Sequence, residues 1–335
     1  MVSRMAKRWR LWSALPAVKA TTIEQRDVEM PLIAAEMQAL PVVRFTALHI
    51  DVARFATDDF NPFHDQHKWQ RIAGNPFGGP IALGFQLLAF IAHTVSRAAP
   101  SVGGEFRYTN YRINFANAVR VNEEVALTVK PLQASSDGRH VSRRIALRGA
   151  RGLAVTGHVR FAHAVESKLT LPPVQPLSLN RIRDRTDVPG TEYFLKRKFM
   201  TTANAKNFLV GAGVDPAAYF DELEDRASFP DIFPVSLISC ALLERGMKRN
   251  YDFIARPMVY AYLDITTDRA AVERLKSNDA VNILVSAARP PLPVATTLRR
   301  RLQVHQCLGF SGHGERVFAA EIGLVPLAAL MGPTE

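Results

Sequence analysis

An aspartate and a histidine five positions apart are the residues of this chain best suited to acid/base chemistry. Residues 58–67 read DDFNPFHDQH, in which Asp59 and His64 flank an Asn-Pro turn. A carboxylate and an imidazole are common general acids and bases, and together they can activate one water molecule. Both residue types are also common in polar loops, so the spacing alone does not separate a catalytic pair from a surface turn. The elements around the loop must decide.

A glycine-containing turn and a long apolar run follow this loop. In NPFGGPIALGFQLLAFIAHTVSRA (75–98), Gly78, Gly79 and Pro80 mark a turn, and Pro80 suits a first helical position. The 17 residues after Pro80 are apolar almost all round, and a helix without a polar face must be buried. The sequence therefore predicts a buried helix that begins close to the Asp-His loop.

The pattern then changes to runs of β-forming residues. They occupy 111–119, 124–134, 139–149 and 152–164, with turn residues such as SSDG between them. Two of the runs alternate as half-buried antiparallel strands do. One buried helix followed by an antiparallel meander implies an α+β fold in which a sheet wraps round the helix.

The second half of the chain repeats this layout with little residue identity. A strand is predicted at 193–199, then a polar, loop-rich section, then an apolar helix at 229–247. Further strands are predicted at 258–265, 280–288, 298–310 and 315–327. The Pro-rich stretch PPVQPLSLN marks a break between the halves. We predict a flexible leader (1–35), a first domain (36–170), a linker (171–190) and a second domain (191–335).

The loop and the glycine-containing turn together resemble a known family. DDFNPFH at 58–64, followed by FGGPIALG at 77–84, is similar to the motif of MaoC-like or (R)-specific enoyl-CoA hydratases. That motif reads Gly-Asp-x-Asn-Pro-x-His and then Gly-Pro-Ile-Ala-His-Gly. The specific likeness covers residues 55–98, and the strand order extends it loosely to residue 165. The resemblance implies two tandem hotdog folds, the second of them degenerate and without a site of its own.

The resemblance also implies roles for three residues. Asp59 and His64 would be the catalytic pair that holds one water, and the backbone N–H of Gly84 would face the thioester oxygen. Adding water to a double bond conjugated with a thioester needs a base for the water, a proton for C2 and stabilisation of an enolate-like oxygen. N–H groups at a helix N-terminus suit that oxygen. No cofactor and no metal are required.

Further residues of the motif would shape the substrate side of the loop. The resemblance assigns Asn61 to the turn and to contact with the substrate or the loop, and it counts Gly79 and Pro80 among the substrate or loop residues as well. Pro62 stiffens the turn and biases the residue before it toward extended conformations. Gly78 and Gly79, in the turn before the apolar helix, allow another group to approach the backbone closely.

Several positions depart from the family pattern. Asp58 stands where the family has glycine, and it could raise the pKa of its neighbour or point into solvent. Leu83 replaces the histidine before the helix glycine, and Gln66 replaces an aspartate, although Asp65 lies next to it.

The favoured function is hydration of a trans-2-enoyl thioester, or the reverse dehydration. The alternatives are a catalytically silent double hotdog that binds an acyl thioester or a protein, and a thioesterase.

Composition limits the setting and the partners. The net charge of +11 comes from dispersed basic residues without a nucleic-acid-binding motif, and no apolar run is long enough to span a membrane. Two cysteines, Cys240 and Cys307, form no disulfide framework and favour a reducing compartment, so we predict a cytoplasmic protein. The expected partner is an acyl-CoA or acyl-carrier-protein thioester, and a homodimer stays open.

Other constellations are less specific. His64, Asp65 and His67 could be imagined as metal ligands, but no further His/Cys cluster accompanies them. GFSGHG (309–314) lacks the second glycine of a nucleophile elbow and is interpreted as a hairpin turn. His93, within the apolar helix, is interpreted as a core histidine.

Overall fold

The computed structural model describes residues 40–98, 106–165, 174–289 and 302–331. Residues Pro41–Glu335 form one compact unit. The predicted leader, 1–35, lies outside the described residues.

One antiparallel sheet of twelve strands runs through the described part of the chain. Its order is β1-β3-β5-β6-β2-β11-β14-β13-β12-β8-β7, and β4 pairs with β5 outside this path. The strands are β1 (Val42–Arg44), β2 (Tyr108–Phe115), β3 (Glu124–Val129), β4 (Gln133–Ala134), β5 (His140–Gly149), β6 (Gly152–Ala162), β7 (Thr186–Asp187), β8 (Phe194–Phe199), β11 (Met258–Asp268), β12 (Ala280–Val285), β13 (Gln303–Ser311) and β14 (Arg316–Pro326). A separate hairpin pairs β9 (Phe220–Asp221) with β10 (Arg226–Ala227).

The two halves of the chain share this sheet. Strand β2 of the first half pairs with β11 of the second half, with Tyr111 opposite Ile265 and Ile113 opposite Leu263. Strand β7, which lies within the predicted linker, pairs with β8 of the second half. The division of the chain at 171–190 stays a prediction.

Seven helices lie in the described residues. They are α1 (Ala47–Thr57), α2 (Gly84–Arg97), α3 (Thr202–Gly211), α4 (Ile232–Ser236), α5 (Ile238–Lys248), α6 (Arg269–Glu273) and α7 (Leu327–Met331). The predicted second helix is therefore two helices, α4 and α5. Helix α2 is buried from Gly84 to Ala92, as its apolar sequence predicts, whereas Ser96 and Arg97 at its end are exposed.

Two predicted elements were wrong. The run VVRFTALHI (42–50) is strand-like in sequence, but residues 47–50 are helical, because Thr46 begins α1 with a capping box. Its hydroxyl accepts the N–H of His49, and the ring of His49 accepts the N–H of Thr46.

The section predicted to be loop-rich after β8 contains α3. Gly211 of this helix packs on α1, and a Cβ there would lie 2.7 Å from the Cβ of Ala53. Close packing between helices explains a glycine that looks like a helix breaker.

Helix α2 also begins later than predicted. Pro80 lies before the helix, and Leu83 is the N-cap. The amide of Gln86 secures this start, because its Oε1 accepts the N–H of Leu83 (3.1 Å) and its Nε2 donates to the carbonyl of Gly211 (2.6 Å). A fully buried glutamine therefore connects the start of α2 with the end of α3.

Candidate active site

The end of α1 separates Asp59 from Asp58. Asp58 is the C-cap in the left-handed conformation (φ 53°), and the N–H of Asp59 donates to the carbonyl of Arg54 at 2.9 Å. The chain thus turns sharply between the two carboxylates. Asp59 is 3% exposed, whereas 59% of the Asp58 side chain is exposed. The two adjacent aspartates have opposite environments.

Asp58 forms an ion pair with Lys198 of β8. Lys198 belongs to the second half of the chain and approaches Asp58 from outside the loop. This pairing accounts for the extra carboxylate at the position where the family pattern has glycine.

The Asn-Pro turn is held by its own side chains. Oδ1 of Asp59 accepts the N–H of Asn61 at 3.1 Å, and Oδ1 of Asn61 accepts the N–H of Phe63 at 3.2 Å. Pro62 begins a single 3-10 turn that ends at His64. Asn61, at φ −58° and ψ 127°, is extended as expected before proline. The turn therefore fixes the backbone on both sides of the predicted pair.

The imidazole of His64 is bound to the segment that leads into α2. Its Nδ1 lies 2.8 Å from the carbonyl oxygen of Ile81, and the N–H of Ile81 donates to the carbonyl of Phe63 at 3.1 Å. Because a carbonyl oxygen only accepts, Nδ1 carries the hydrogen and the neutral ring keeps a lone pair on Nε2. No described residue hydrogen-bonds Nε2 of His64 or Oδ2 of Asp59. Both atoms are available to a ligand.

Gly84 is the first residue of α2, three positions after Ile81. The N–H groups in the first turn of a helix have no partner within the helix, and the positive end of the helix dipole lies there. A Cβ on Gly84 would lie 3.0 Å from Cζ of Phe115 and 3.1 Å from Cδ2 of Tyr260. Two aromatic rings thus pack where a side chain would otherwise stand.

The loop before the helix differs in detail from its prediction. Gly78 has φ +68°, which requires glycine, whereas a Cβ on Gly79 would meet nothing within 4 Å. Pro80 is buried and directs the chain toward Ile81, which forms a β-bridge with Arg120. The backbone itself therefore needs glycine at 78 and not at 79.

Asp65 has a structural role. Its carboxylate pairs with Arg54 of α1 (3.2 Å) and accepts the N–H groups of His67 (3.0 Å) and Lys68 (2.9 Å). Burial by itself would raise the pKa of Asp65, but the two N–H donors and the charges of Arg54 and Lys68 outweigh it and lower the pKa. Among the described residues, no group of His, Cys, Asp and Glu side chains could hold a metal ion.

This arrangement predicts the effect of Asp65→Asn on stability. Asparagine keeps the acceptor oxygen but removes the charge that faces Arg54, so the free energy of unfolding should fall by about 1–3 kcal/mol at neutral pH. The pKa of Asp65 is lower in the folded state, so its contribution is present above the unfolded value of 3.8 and is lost as pH falls through the folded value. Urea unfolding of both proteins should therefore converge in acid. Glu124→Gln, which removes an exposed pair with Arg44, is the control and should change stability little.

Two residues of the second half that the sequence did not indicate lie here: a tyrosine whose ring reaches the start of α2, and a serine that contacts the tyrosine hydroxyl. The ring of Tyr260 in β11 packs against Phe85 (centroids 5.9 Å apart) and Phe115 (6.1 Å), and its hydroxyl lies 2.7 Å from Oγ of Ser239 in α5. Burial raises the pKa of Tyr260 well above its usual value, and the carboxylate of Asp59 raises it further. Only an aromatic residue in the predicted strand MVYAYLDI could have hinted at this contact.

The structure also places the residues to which the sequence assigns no catalytic role. Nδ1 of His93 lies 3.3 Å from the hydroxyl of Tyr219. Both cysteines are buried free thiols, and burial raises the pKa of Cys240 to about 12. GFSGHG covers the last three residues of β13 and the turn toward β14, where Oγ of Ser311 accepts the N–H of Glu315 (3.2 Å).

Solved structures with a similar fold agree with the predicted architecture. A MaoC domain dehydratase from Chloroflexus aurantiacus superposes with a TM-score of 0.52 at 11% identity, covering 85% of this chain and 93% of that one. A conserved hypothetical protein from Mycobacterium tuberculosis with a double hotdog fold gives 0.52 at 10% identity, covering 86% and 94%. A further MaoC-like dehydratase gives 0.51 at 12%, covering 85% and 95%.

These likenesses confirm the α+β double hotdog fold and, at such low identity, the fold alone. No protein-family profile and no curated protein matches the sequence. No described helix has the length and apolar character needed to cross a membrane. The chemical roles of Asp59, His64, Gly84, Asn61, Gly79 and Pro80 stay predictions.

Proposed function

We propose that the protein is a hydro-lyase that adds water to a trans-2-enoyl thioester, or removes it from a 3-hydroxyacyl thioester. The observation that carries the proposal is the hydrogen bond from Nδ1 of His64 to Ile81, which leaves Nε2 as a base beside the segment that begins α2. Buried Asp59 on the same turn supplies a carboxylate. Asp59 and His64 would provide the base and the proton that hydration needs, and the start of α2 would provide the N–H groups for the thioester oxygen.

The proposed reaction needs one water molecule between Asp59 and His64. The carboxylate accepts a hydrogen bond from the water, and Nε2 of His64 takes a proton as the water oxygen bonds to C3. Electrons of the double bond move onto the thioester oxygen, where the N–H of Gly84 stabilises the charge. The imidazolium then returns a proton to C2, and both side chains regain their starting states. Atoms and charge balance without a cofactor.

The same proposal extends to partners and setting. The acyl group would be carried by CoA or by an acyl-carrier protein, and the surplus of basic residues would attract either phosphate-bearing carrier. Two buried free thiols agree with the reducing environment of the cytoplasm. The proposal includes the division into two domains at residues 171–190 and assembly as a homodimer.

An assay of the full chain with trans-2-enoyl-CoA substrates of increasing length, from crotonyl-CoA upward, tests the function. Loss of the enoyl absorbance reports hydration, and release of free thiol reports thioester hydrolysis. The double variant Asp59→Asn, His64→Gln provides the blank. We expect hydration that this blank lacks and no thiol release above it.

Other outcomes would contradict the proposal. Thiol release without hydration would identify a thioesterase. Inertness across the panel together with acyl-CoA binding would favour the silent double hotdog, to which the apolar, buried Leu83 in place of the family's histidine would contribute.

A further inference from the structure

Two hydroxyl groups of the second half contact each other at the tyrosine whose ring packs over the proposed oxyanion glycine. Tyr260 comes from β11 and Ser239 from α5, and the edge of the tyrosine ring packs over Gly84. Ser239 is 4% exposed, whereas Tyr260 keeps part of its surface accessible although Phe85 and Phe115 pack against it. An acyl group held at Gly84 would therefore pass the tyrosine of this pair.

The hydrogen bonds of this pair are incomplete. Each hydroxyl has one hydrogen to donate, so the pair has two donors, and the contact between Oη of Tyr260 and Oγ of Ser239 uses one. No described carbonyl or carboxylate accepts the second hydrogen from either residue. A ligand oxygen that reaches this pair would accept the second hydrogen.

The surrounding charges indicate which kind of oxygen fits. The carboxylate of Asp59 is close enough to act electrostatically on Tyr260. A carboxylate on the acyl group would be repelled by Asp59, whereas a hydroxyl or carbonyl oxygen would accept the free hydrogen without that penalty. The rings of Phe85 and Phe115, which pack against the ring of Tyr260, add apolar surface next to it.

We infer that Tyr260 and Ser239 select enoyl thioesters that carry a neutral oxygen, as a hydroxyl or carbonyl, on the acyl chain beyond the reacting carbons. The inference rests on the proposed function and names its substrate class. It also gives the second half, which has no Asp-His motif, a direct part in recognition. Both residues are specificity determinants and do not take part in the proton transfers.

Two thioesters that differ in one oxygen test the inference. We would compare crotonyl-CoA with 4-hydroxycrotonyl-CoA, and measure the ratio of their kcat/KM values for the wild-type protein, Tyr260→Phe and Ser239→Ala. The wild type should prefer the hydroxylated substrate, and each variant should lower that preference about tenfold, as expected for one hydrogen bond to a buried group. Tyr193→Phe, which removes the hydroxyl that bonds Gln306, is the matched control and should leave the ratio unchanged.

Binding measurements separate this inference from the proposed function. Calorimetric titration with the saturated 4-hydroxybutyryl-CoA and with butyryl-CoA gives the same comparison without turnover. A preference for the hydroxylated ligand that Tyr260→Phe and Ser239→Ala abolish supports the inference even in a protein without hydratase activity. Equal affinities in the wild type, or a preference that both variants keep, would overturn it while leaving hydration of crotonyl-CoA unaffected.

Discussion

Asp59→Asn should lower kcat/KM for hydration of the best enoyl-CoA substrate by about 10²–10⁴-fold, the contribution expected of a positioned acid/base group. Asparagine has the shape of aspartate and keeps the oxygen that accepts the N–H of Asn61, so the turn should persist. It has no charge with which to polarise the water. Steady-state kinetics with the enoyl absorbance measures the effect, and circular dichroism verifies the fold.

The neighbouring residue supplies a closely matched control. Asp58→Asn makes the same chemical change one position away, and asparagine tolerates the left-handed conformation of that C-cap. It removes an ion pair in which the Asp58 side chain is 59% exposed but the Lys198 side chain only 13%, so the loss should cost about 1–3 kcal/mol of stability. Activity within about twofold of wild type is expected because Asp58 lies outside the turn that holds the pair. Equal losses from both variants would contradict the assignment of Asp59.

Gly84→Val should reduce both activity and stability. The Cβ of any side chain at this position would lie 3.0 Å from Phe115 and 3.1 Å from Tyr260, so the rings or the helix start must move. Overpacking of this kind costs about 1–3 kcal/mol of unfolding free energy. A shift of the helix start by about 1 Å would also lower kcat about 100-fold, because the thioester oxygen would lose its alignment.

Graded substitutions separate the two effects. Gly84→Ala adds only the Cβ and should give a smaller loss than valine in both urea unfolding and kcat. Gly312→Ala adds the same atom in the turn after β13, where it would make ordinary contacts at 3.7 Å and 3.8 Å with Ala280. This control should match the wild type in activity. Unchanged kcat in Gly84→Val would argue against an oxyanion role for this N–H group.

The second half contributes to the candidate site although it has no comparable motif. Lys198 pairs with Asp58, and the ring of Tyr260 covers Gly84. Strand β11 can reach the first half because it pairs directly with β2 in the shared sheet. Contacts of the second half thus reach both the loop and the helix start on which the candidate site lies.

Local patterns in the sequence predicted much of the architecture. The alternation in β5 and β6 and the apolar run of α2 depend on neighbours a few residues apart, so their types and approximate bounds could be read directly. The same holds for the Asn-Pro turn, where proline restricts its own backbone and that of Asn61. Helix α3 could not be predicted, because its glycine is stabilised by contact with α1 rather than by helix propensity.

The sequence by itself determined the α+β class, the order of the long strands around α2 and the loop that bears Asp59 and His64, because each follows from residues close together along the chain. Only the tertiary structure decided that Nδ1 of His64 binds Ile81, that Asp58 faces Lys198, and that the ring of Tyr260, whose hydroxyl contacts Ser239, packs on Gly84. These contacts join segments that are distant along the chain. They depend on the register between β2 and β11 and on close packing at the start of α2, for which the chain carries no local signal.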